Sequence, residues 1–466
     1  MVGSRYTILS LLYPWGLKEL LSGMVGSSLS LVTNYKYNIQ MPCVPTFFVI
    51  FGTKKIKMKH YLLALALLGT SVGHAQNLSG SWTGTLDAGM AKLNLVFNLQ
   101  TDDDGKTICL MDSPDQGAKG IPTDLLYLSD DSLSVSVPVI GAKYNGRLKE
   151  DTLHGTFEQL GRKFELNLSQ KILKYNRPQH PSRPYPYTTE DVKFRNADAD
   201  VVLAGTLTYP IGYKNGDDVP VVLMVTGSGP ENRDEEIFEH KPFLVIADFF
   251  AKHGIATLRY DDRAVGESSG EYQTANTAEV TDDAKAGIEF LRRLKRFSKV
   301  GVLGHSEGAT SAFIMGRAQC VDFIVSMAGC GVKGDECLYA QIRKAAELAG
   351  QPFTMTKEAY VQMVSAQKNP WLEYFLKYDT TEDIKNTFCP VFALNGDKDC
   401  QVVAPLNLSA IEKSLPQNEK SKIKLYPGLN HLFQECATGA VLEYIKIEQT
   451  ISPVVLEDMA EWINSL

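Results

Sequence analysis

Three absences in this 466-residue chain each remove a class of function. No stretch reaches the run of about 20 apolar residues that a bilayer-crossing helix requires, so no membrane span is expected. No C-x-x-C occurs among the eight cysteines, which argues against a zinc site. No cluster of Lys and Arg marks the basic surface that nucleic acid would need. Histidine is scarce in an informative way. Of eight, only His431 follows residue 306, so any chemistry centred at 306 that needs a downstream base has one imidazole to draw on.

The first 75 residues stand apart from the rest. Met58-Lys59-His60, an apolar run Tyr61 to Leu68 and then Gly73-His74-Ala75 give the charged start, apolar core and small-residue cleavage point of a secretory signal peptide, 58–75. Residues 1–57, broken by Pro42 and Pro45, show no domain pattern, and translation is expected to begin at Met58. The expected location is periplasmic or extracellular. Residues 1–75 carry seven basic side chains and one acidic, which leaves 40 Lys+Arg against 53 Asp+Glu, a net charge of −13, for the remainder.

What is present divides in two. Leu93, Leu95, Phe97 and Leu99 alternate with polar residues, as do Leu133, Val135 and Val137, and Phe164, Leu166 and Leu168. This period of two, with turn signals such as Asp102 to Gly105, predicts a small all-β sandwich or barrel over 77–170. It has too few strands for a propeller. A glycan or lipid is the class of ligand such a module would take. Pro178, Pro181, Pro184 and Pro186 then mark 171–189 as an extended linker rather than a packed element. From 190 to 466, apolar runs at 201–209, 219–225, 255–260, 300–303, 323–327, 391–395 and 423–426 alternate with helical patterns at 243–252, 277–297 and 453–466. Strands apolar throughout are those covered by helices on both faces, so a doubly wound, mostly parallel α/β sheet is expected.

Gly304-His305-Ser306-Glu307-Gly308 sits at the junction of one such strand with a helical run carrying Thr310, Phe313, Ile314 and Met315. A serine in this G-x-S-x-G setting occupies a tight strand-to-helix turn, the nucleophile elbow of α/β-hydrolases. A hydroxyl needs a base, and His431, in the loop 426–431 after a late strand, is the available imidazole. The acid that orients it should follow the strand 390–395, where Asp397 and Asp399 both qualify. An oxyanion hole takes two backbone N–H groups. Glu307, next to the nucleophile, supplies one, and Ser228, in the Gly-rich turn after strand 219–225, the other.

The runs TGSGPENRDE, HKPF, RYDDRAVGESSG, GHSEG, LNGDKDCQV and PGLNHLFQ resemble those of secreted bacterial serine hydrolases of the α/β-hydrolase superfamily, in the esterase and serine-aminopeptidase-like group. The resemblance covers about 185–466 and implies Ser306, Asp399 and His431 as a triad, with Asp399 preferred over Asp397. Arg233, Asp234 and His240 are implied at the mouth of the site. Ala264 departs from the glycine usual there, which questions the local turn. Residues 331–388 are too long for a simple crossover and predict a small helical cap, in which Trp371, Tyr374, Phe375 and Tyr378 recur at helical spacing, with Trp371 and Phe375 as candidates for the substrate wall. Cys400 and Cys436 follow the acid and base loops closely, so they are the first pair to test for a disulfide. The function expected is hydrolysis of a small-molecule carboxylic ester through an acyl-enzyme, without cofactor or metal. An aminopeptidase or amidase on the same residues, or a ligand-binding protein with a vestigial site, are the alternatives.

Overall fold

The computed structural model describes residues 78–466, apart from 90, 91, 103, 273 and 274. The leader and upstream segment read from the sequence lie outside the described residues.

The N-terminal strands are β1 (Gly80–Asp87), β2 (Lys92–Thr101), β3 (Thr107–Ser113), β4 (Ala118–Pro122), β5 (Asp124–Leu128), β6 (Ser132–Val137), β7 (Ala142–Lys149), β8 (Thr152–Gln159), β9 (Arg162–Glu165) and β10 (Leu168–Ser169). They form one sheet in the order β4-β3-β2-β1-β10-β8-β7-β6-β5, with β9 on β8. The two ends of this path are consecutive in sequence and joined by Thr123 alone, whose hydroxyl donates to the Cys109 carbonyl, so the sheet curls back on itself like a barrel. The alternation read in β2 puts Leu93, Leu95, Phe97 and Leu99 inside, with Leu86, Val135, Tyr144 and Phe157.

The segment that follows has little regular structure, yet it is not a free tether. Arg177 donates to the carbonyls of Phe238, Glu239, Ile445 and Ile447, and Gln179 exchanges hydrogen bonds with residues 450 and 451. Proline-rich composition removes helix and sheet partners, and these side chains supply anchorage in their place. The segment runs directly into β11 (Thr189–Asn196), a strand that the sequence reading did not anticipate. Its charged, exposed positions hide a one-sided alternation at Val192, Phe194 and Asn196.

The second sheet has the order β11-β12-β14-β13-β15-β16-β17-β18, with β12 at Val201–Thr208, β13 at Val221–Val225, β14 at Ala256–Tyr260, β15 at Val300–His305, β16 at Ile324–Met327, β17 at Val391–Gly396 and β18 at Lys422–Tyr426. Pairings from β14 to β18 are parallel, and those of β11 and β12 are antiparallel. Helices α1 (Pro242–Lys252), α2 (Thr277–Leu294) and α3 (Glu307–Arg317) belong to this layer. Then α4 (Gly334–Leu348), α5 (Lys357–Ser365), α6 (Pro370–Lys377) and α7 (Thr381–Lys385) fill the insertion between β16 and β17, and α8 (Ala404–Ser414), α9 (Val441–Tyr444) and α10 (Pro453–Asn464) complete the chain. One core holds α2, α3 and α8 against one face of the sheet, and a second holds α1 and α10 against the other. The insertion has its own small core of Tyr360, Val364, Leu372 and Leu376.

On α10, Asp458 accepts from Lys422 at 3.0 Å and Tyr426 at 2.7 Å, and also from Lys424, pinning the helix to edge strand β18. Burial opposes its charge, but these three donors outweigh it and hold the carboxyl down to about 2. A depressed pKa contributes stability that is complete above the ordinary carboxylate value and is lost as pH falls through about 2. Asp458→Asn is therefore expected to cost about 2 kcal/mol at pH 7, with a smaller gap at pH 3, in urea melts of both proteins.

Candidate active site

The turn at Ser306 is built from close backbone approach. A Cβ on Gly304 would stand 2.1 Å from the Gly308 carbonyl oxygen, and one on Gly308 would stand 2.2 Å from that of Val225. Only glycine fits both places. Ser306 takes φ 54° and ψ −116°, a strained conformation for a residue with a side chain, at the N-cap of α3. Among the described residues its hydroxyl makes no hydrogen bond, and neither do the amides of Ser228 and Glu307. Both amides are therefore unspent.

His431 comes to this end of the sheet on the loop after β18. Its Nδ1 lies 2.8 Å from Asp399 Oδ2, and the other carboxylate oxygen, Oδ1, accepts the amides of Gln401 and Val402. Both side chains are buried. Asp397 instead accepts the Gly428 amide at 2.7 Å and faces solvent. The two-residue difference matters because the first position after the strand is taken up by the backbone of the loop after β18, while the third reaches the imidazole.

The residue before the serine, which the sequence reading did not use, ties nucleophile to base. His305 Nδ1 lies 2.8 Å from Glu235 Oε1, its Nε2 donates to the His431 carbonyl at 3.0 Å, and the two imidazole rings are 4.7 Å apart. Burial works against charging His305, but Glu235 prevails and raises its pKa. Glu235 belongs to the TGSGPENRDE run, so three motifs meet here.

Glu307 does more than offer an amide. Its carboxylate accepts from Ser228 Oγ at 2.6 Å, Thr277 Oγ1 at 2.5 Å and Trp371 Nε1 at 2.8 Å. Burial raises its pKa against the pull of these donors. One buried side chain thus joins the elbow, the loop after β13, the start of α2 and helix α6. Further acids crowd the same loop. Asp262 accepts the Thr226 hydroxyl and the Glu231 amide, and burial pushes it up to about 7.

Several candidates have other roles. His240 is fully buried, its Nε2 against the Tyr444 carbonyl at 2.9 Å and its Nδ1 on the Thr450 hydroxyl, and burial lowers it to about 4, so it is a neutral core residue and not a substrate contact. Arg233 spends its guanidinium on Asp261 and Thr206, bracing the end of β14. Asp234 pairs with Arg259. Phe375 is buried between Cys330, Cys337 and Val402, with Trp371 stacked on it at 5.4 Å, so of the two aromatics only Trp371 reaches Glu307. Ala264 has φ 62°, which is why glycine would suit that turn. Cys400 and Cys436 are both free thiols, and Cys436 donates to the Gly428 carbonyl. Among the described residues no group of three or more His, Cys, Asp or Glu could hold a metal ion, and no helix is long and apolar enough to cross a membrane.

Residues 241–379 match the family described as serine aminopeptidase, S33. Esterase EstD of Thermotoga maritima is 27% identical over 273 residues, 56% of this chain and 65% of that esterase. The chain is thus similar to α/β-hydrolases of the esterase and serine-aminopeptidase-like group. The match spans about two thirds of the length of EstD. Among solved structures, the chain is similar to an esterase of Pyrococcus furiosus, at 19% identity, 63% of this chain, 97% of that chain and a TM-score of 0.41. It is similar also to Est1E of Butyrivibrio proteoclasticus, solved with ferulic acid bound, at 16% identity, 59% and 99% coverage and a TM-score of 0.39.

Trp371→Phe keeps the ring on Phe375 and deletes only the N–H to Glu307. It is expected to cost about 0.5–1.5 kcal/mol in a denaturant melt, the value of a typical intramolecular hydrogen bond. An unchanged midpoint would show that the contact is not made in solution.

Proposed function

We propose that this protein hydrolyses a small-molecule carboxylic ester with Ser306 as nucleophile, His431 as general base and Asp399 as the acid that orients it. The observation that carries this reading is the His431–Asp399 hydrogen bond of 2.8 Å, made by a buried imidazole whose ring packs on the residue preceding a strained, unbonded serine. With Nδ1 held by Asp399, the lone pair at Nε2 is the one left to accept a proton, and among the described residues Nε2 has no other hydrogen-bond partner. His431 takes the Ser306 proton as the hydroxyl attacks the acyl carbonyl. The amides of Ser228 and Glu307 hold the oxygen that gains charge, and the imidazolium returns its proton to the leaving alcohol. Water, activated by the same imidazole, then releases the acid. Helices α4 to α7 serve as the cap, and Trp371 links that cap to the oxyanion side through Glu307.

Ser306→Ala is expected to fold normally by circular dichroism and to lose about 10⁴-fold or more in kcat on a nitrophenyl ester. A fluorophosphonate probe should label the parent protein and leave the variant unlabelled. Because the base must be neutral, turnover should fall on acidification with the slope of a single proton. Near-normal turnover by the folded variant, or a flat acid limb, contradicts the proposal.

A second reading, aminopeptidase or amidase action, is favoured by one group. Glu231 Oε2 is buried without a hydrogen-bond partner, and a Cβ on Gly227 would stand 3.8 Å from Glu231 Oε1 and 3.4 Å from Ser306 Cβ. Burial, with Glu235, Asp262 and Glu307 nearby, raises this carboxyl's pKa, and a substrate ammonium would relieve that crowding. On this reading Glu231→Gln lowers kcat/KM for an alanine nitroanilide by about tenfold or more and spares a nitrophenyl butyrate. Equal effects on both substrates rule it out.

A further inference from the structure

Cys330 and Cys337 bring their sulfurs to 3.3 Å, although neither touches the proposed chemistry. Cys330 lies in the turn after β16, two residues beyond Ala328, whose backbone is left-handed at φ 48°. Cys337 sits in the first turn of α4, where the insertion begins. Both are buried, 3% and 2% exposed, in an apolar cluster with Phe375 and Val402 and with Trp371 at its edge. That cluster is the joint between the sheet that carries Ser306 and the helices above it. Nearby contacts show how tight the joint is: a Cβ on Gly334 would stand 1.9 Å from the Phe375 carbonyl oxygen, and Lys333 bridges to Asp379.

We propose that Cys330 and Cys337 form a disulfide that clamps α4 to the turn after β16. Both thiols are free, and bonding them shortens the 3.3 Å sulfur contact to about 2.0 Å. The oxidant is a disulfide of the thiol-exchange class. One cysteine thiolate attacks it, forming a mixed disulfide and expelling one thiolate. The second cysteine, as thiolate, attacks that mixed disulfide, forms the Cys330–Cys337 bond and expels the other. The two cysteines lose two protons and two electrons, and the oxidant leaves as two thiols. Burial means that the bond forms as the chain folds, and export through the leader expected at 58–75 would take the chain to an oxidising compartment while that happens. Once formed, it protects both sulfurs and fixes the insertion at its root.

The test uses the full chain refolded with oxidised glutathione, alkylated in denaturant and digested with trypsin without reductant. Trypsin cuts after Lys333, between the two cysteines, so only a bridge keeps their peptides together. The expected result is one cross-linked pair that separates on reduction. The melting temperature should also fall by about 2–6 °C on adding reductant, and this response should vanish in Cys337→Ala. Recovery of Cys330 and Cys337 on separate alkylated peptides, a Cys400–Cys436 link in place of this one, or an undiminished reductant response in Cys337→Ala overturns the proposal.

Discussion

Backbone-to-backbone approach at the elbow governs the site. With Gly304 pressed on Gly308 and Gly308 on the end of β13, there is no room for a single methyl group between three pieces of chain. That crowding sets the angle at which α3 leaves β15, and with it where Glu307 at the start of the helix meets Ser228 of the loop after β13. The strain at Ser306 is a consequence of the same geometry, held in place by the parallel pairing of β15 with β13 on one side and β16 on the other. A looser elbow would relax the serine.

Around this apolar constraint the protein buries an unusual number of carboxyl groups. Glu307, Asp262, Glu231, Glu235 and Asp399 all surround the serine, where low polarity makes each unpaired charge expensive. The arrangement is tolerable because most have dedicated partners: hydroxyls and an indole for Glu307, an imidazole for Glu235, another for Asp399, a hydroxyl and an amide for Asp262. Hydrogen bonds from neutral donors spread the charge without introducing cations that would compete for His431. Glu231 is the exception, which is why it stands out chemically.

Much of this was legible in the sequence, for reasons that differ by residue. The strands of the parallel sheet showed as apolar runs because helices bury both their faces, whereas β11, on the edge with one wet face, was hidden by its charges. The elbow was readable because glycine has no substitute there, and His431 because no other histidine follows Ser306. The choice of Asp399 over Asp397 leaned on resemblance, since each carboxylate follows the same strand and only the fold shows which one meets the imidazole. The ties of Glu307 join four segments far apart in sequence, so no local pattern announces them. His240 and Arg233 misled for a related reason: a polar residue near a motif looks functional until its partners Thr450 and Asp261 are seen. Loop logic made Cys400 and Cys436 the first pair to test, and both are free, whereas the pair that meets at the root of α4 was overlooked.

The N-terminal half bears on the site through mechanics rather than chemistry. Arg177 grips the carbonyls of Phe238 and Glu239 on one side and of Ile445 and Ile447 on the other, and Lys119 of β4 adds ion pairs to Glu236 and Glu239. The first of these segments carries Glu235, which holds His305, and through it the backbone of His431. The second packs on the buried His240 and runs on to Ser452, whose amide donates to the Phe433 carbonyl two residues beyond His431. The loop that presents the imidazole is therefore braced from behind by residues that the linker ties together. An arginine bonded to four main-chain carbonyls on two separate loops loses little by its own ordering, because its fork is rigid, and it removes the freedom of both loops together. That is a physical reason for the β-rich module and its linker to accompany the α/β sheet: they hold still the segment that carries His431.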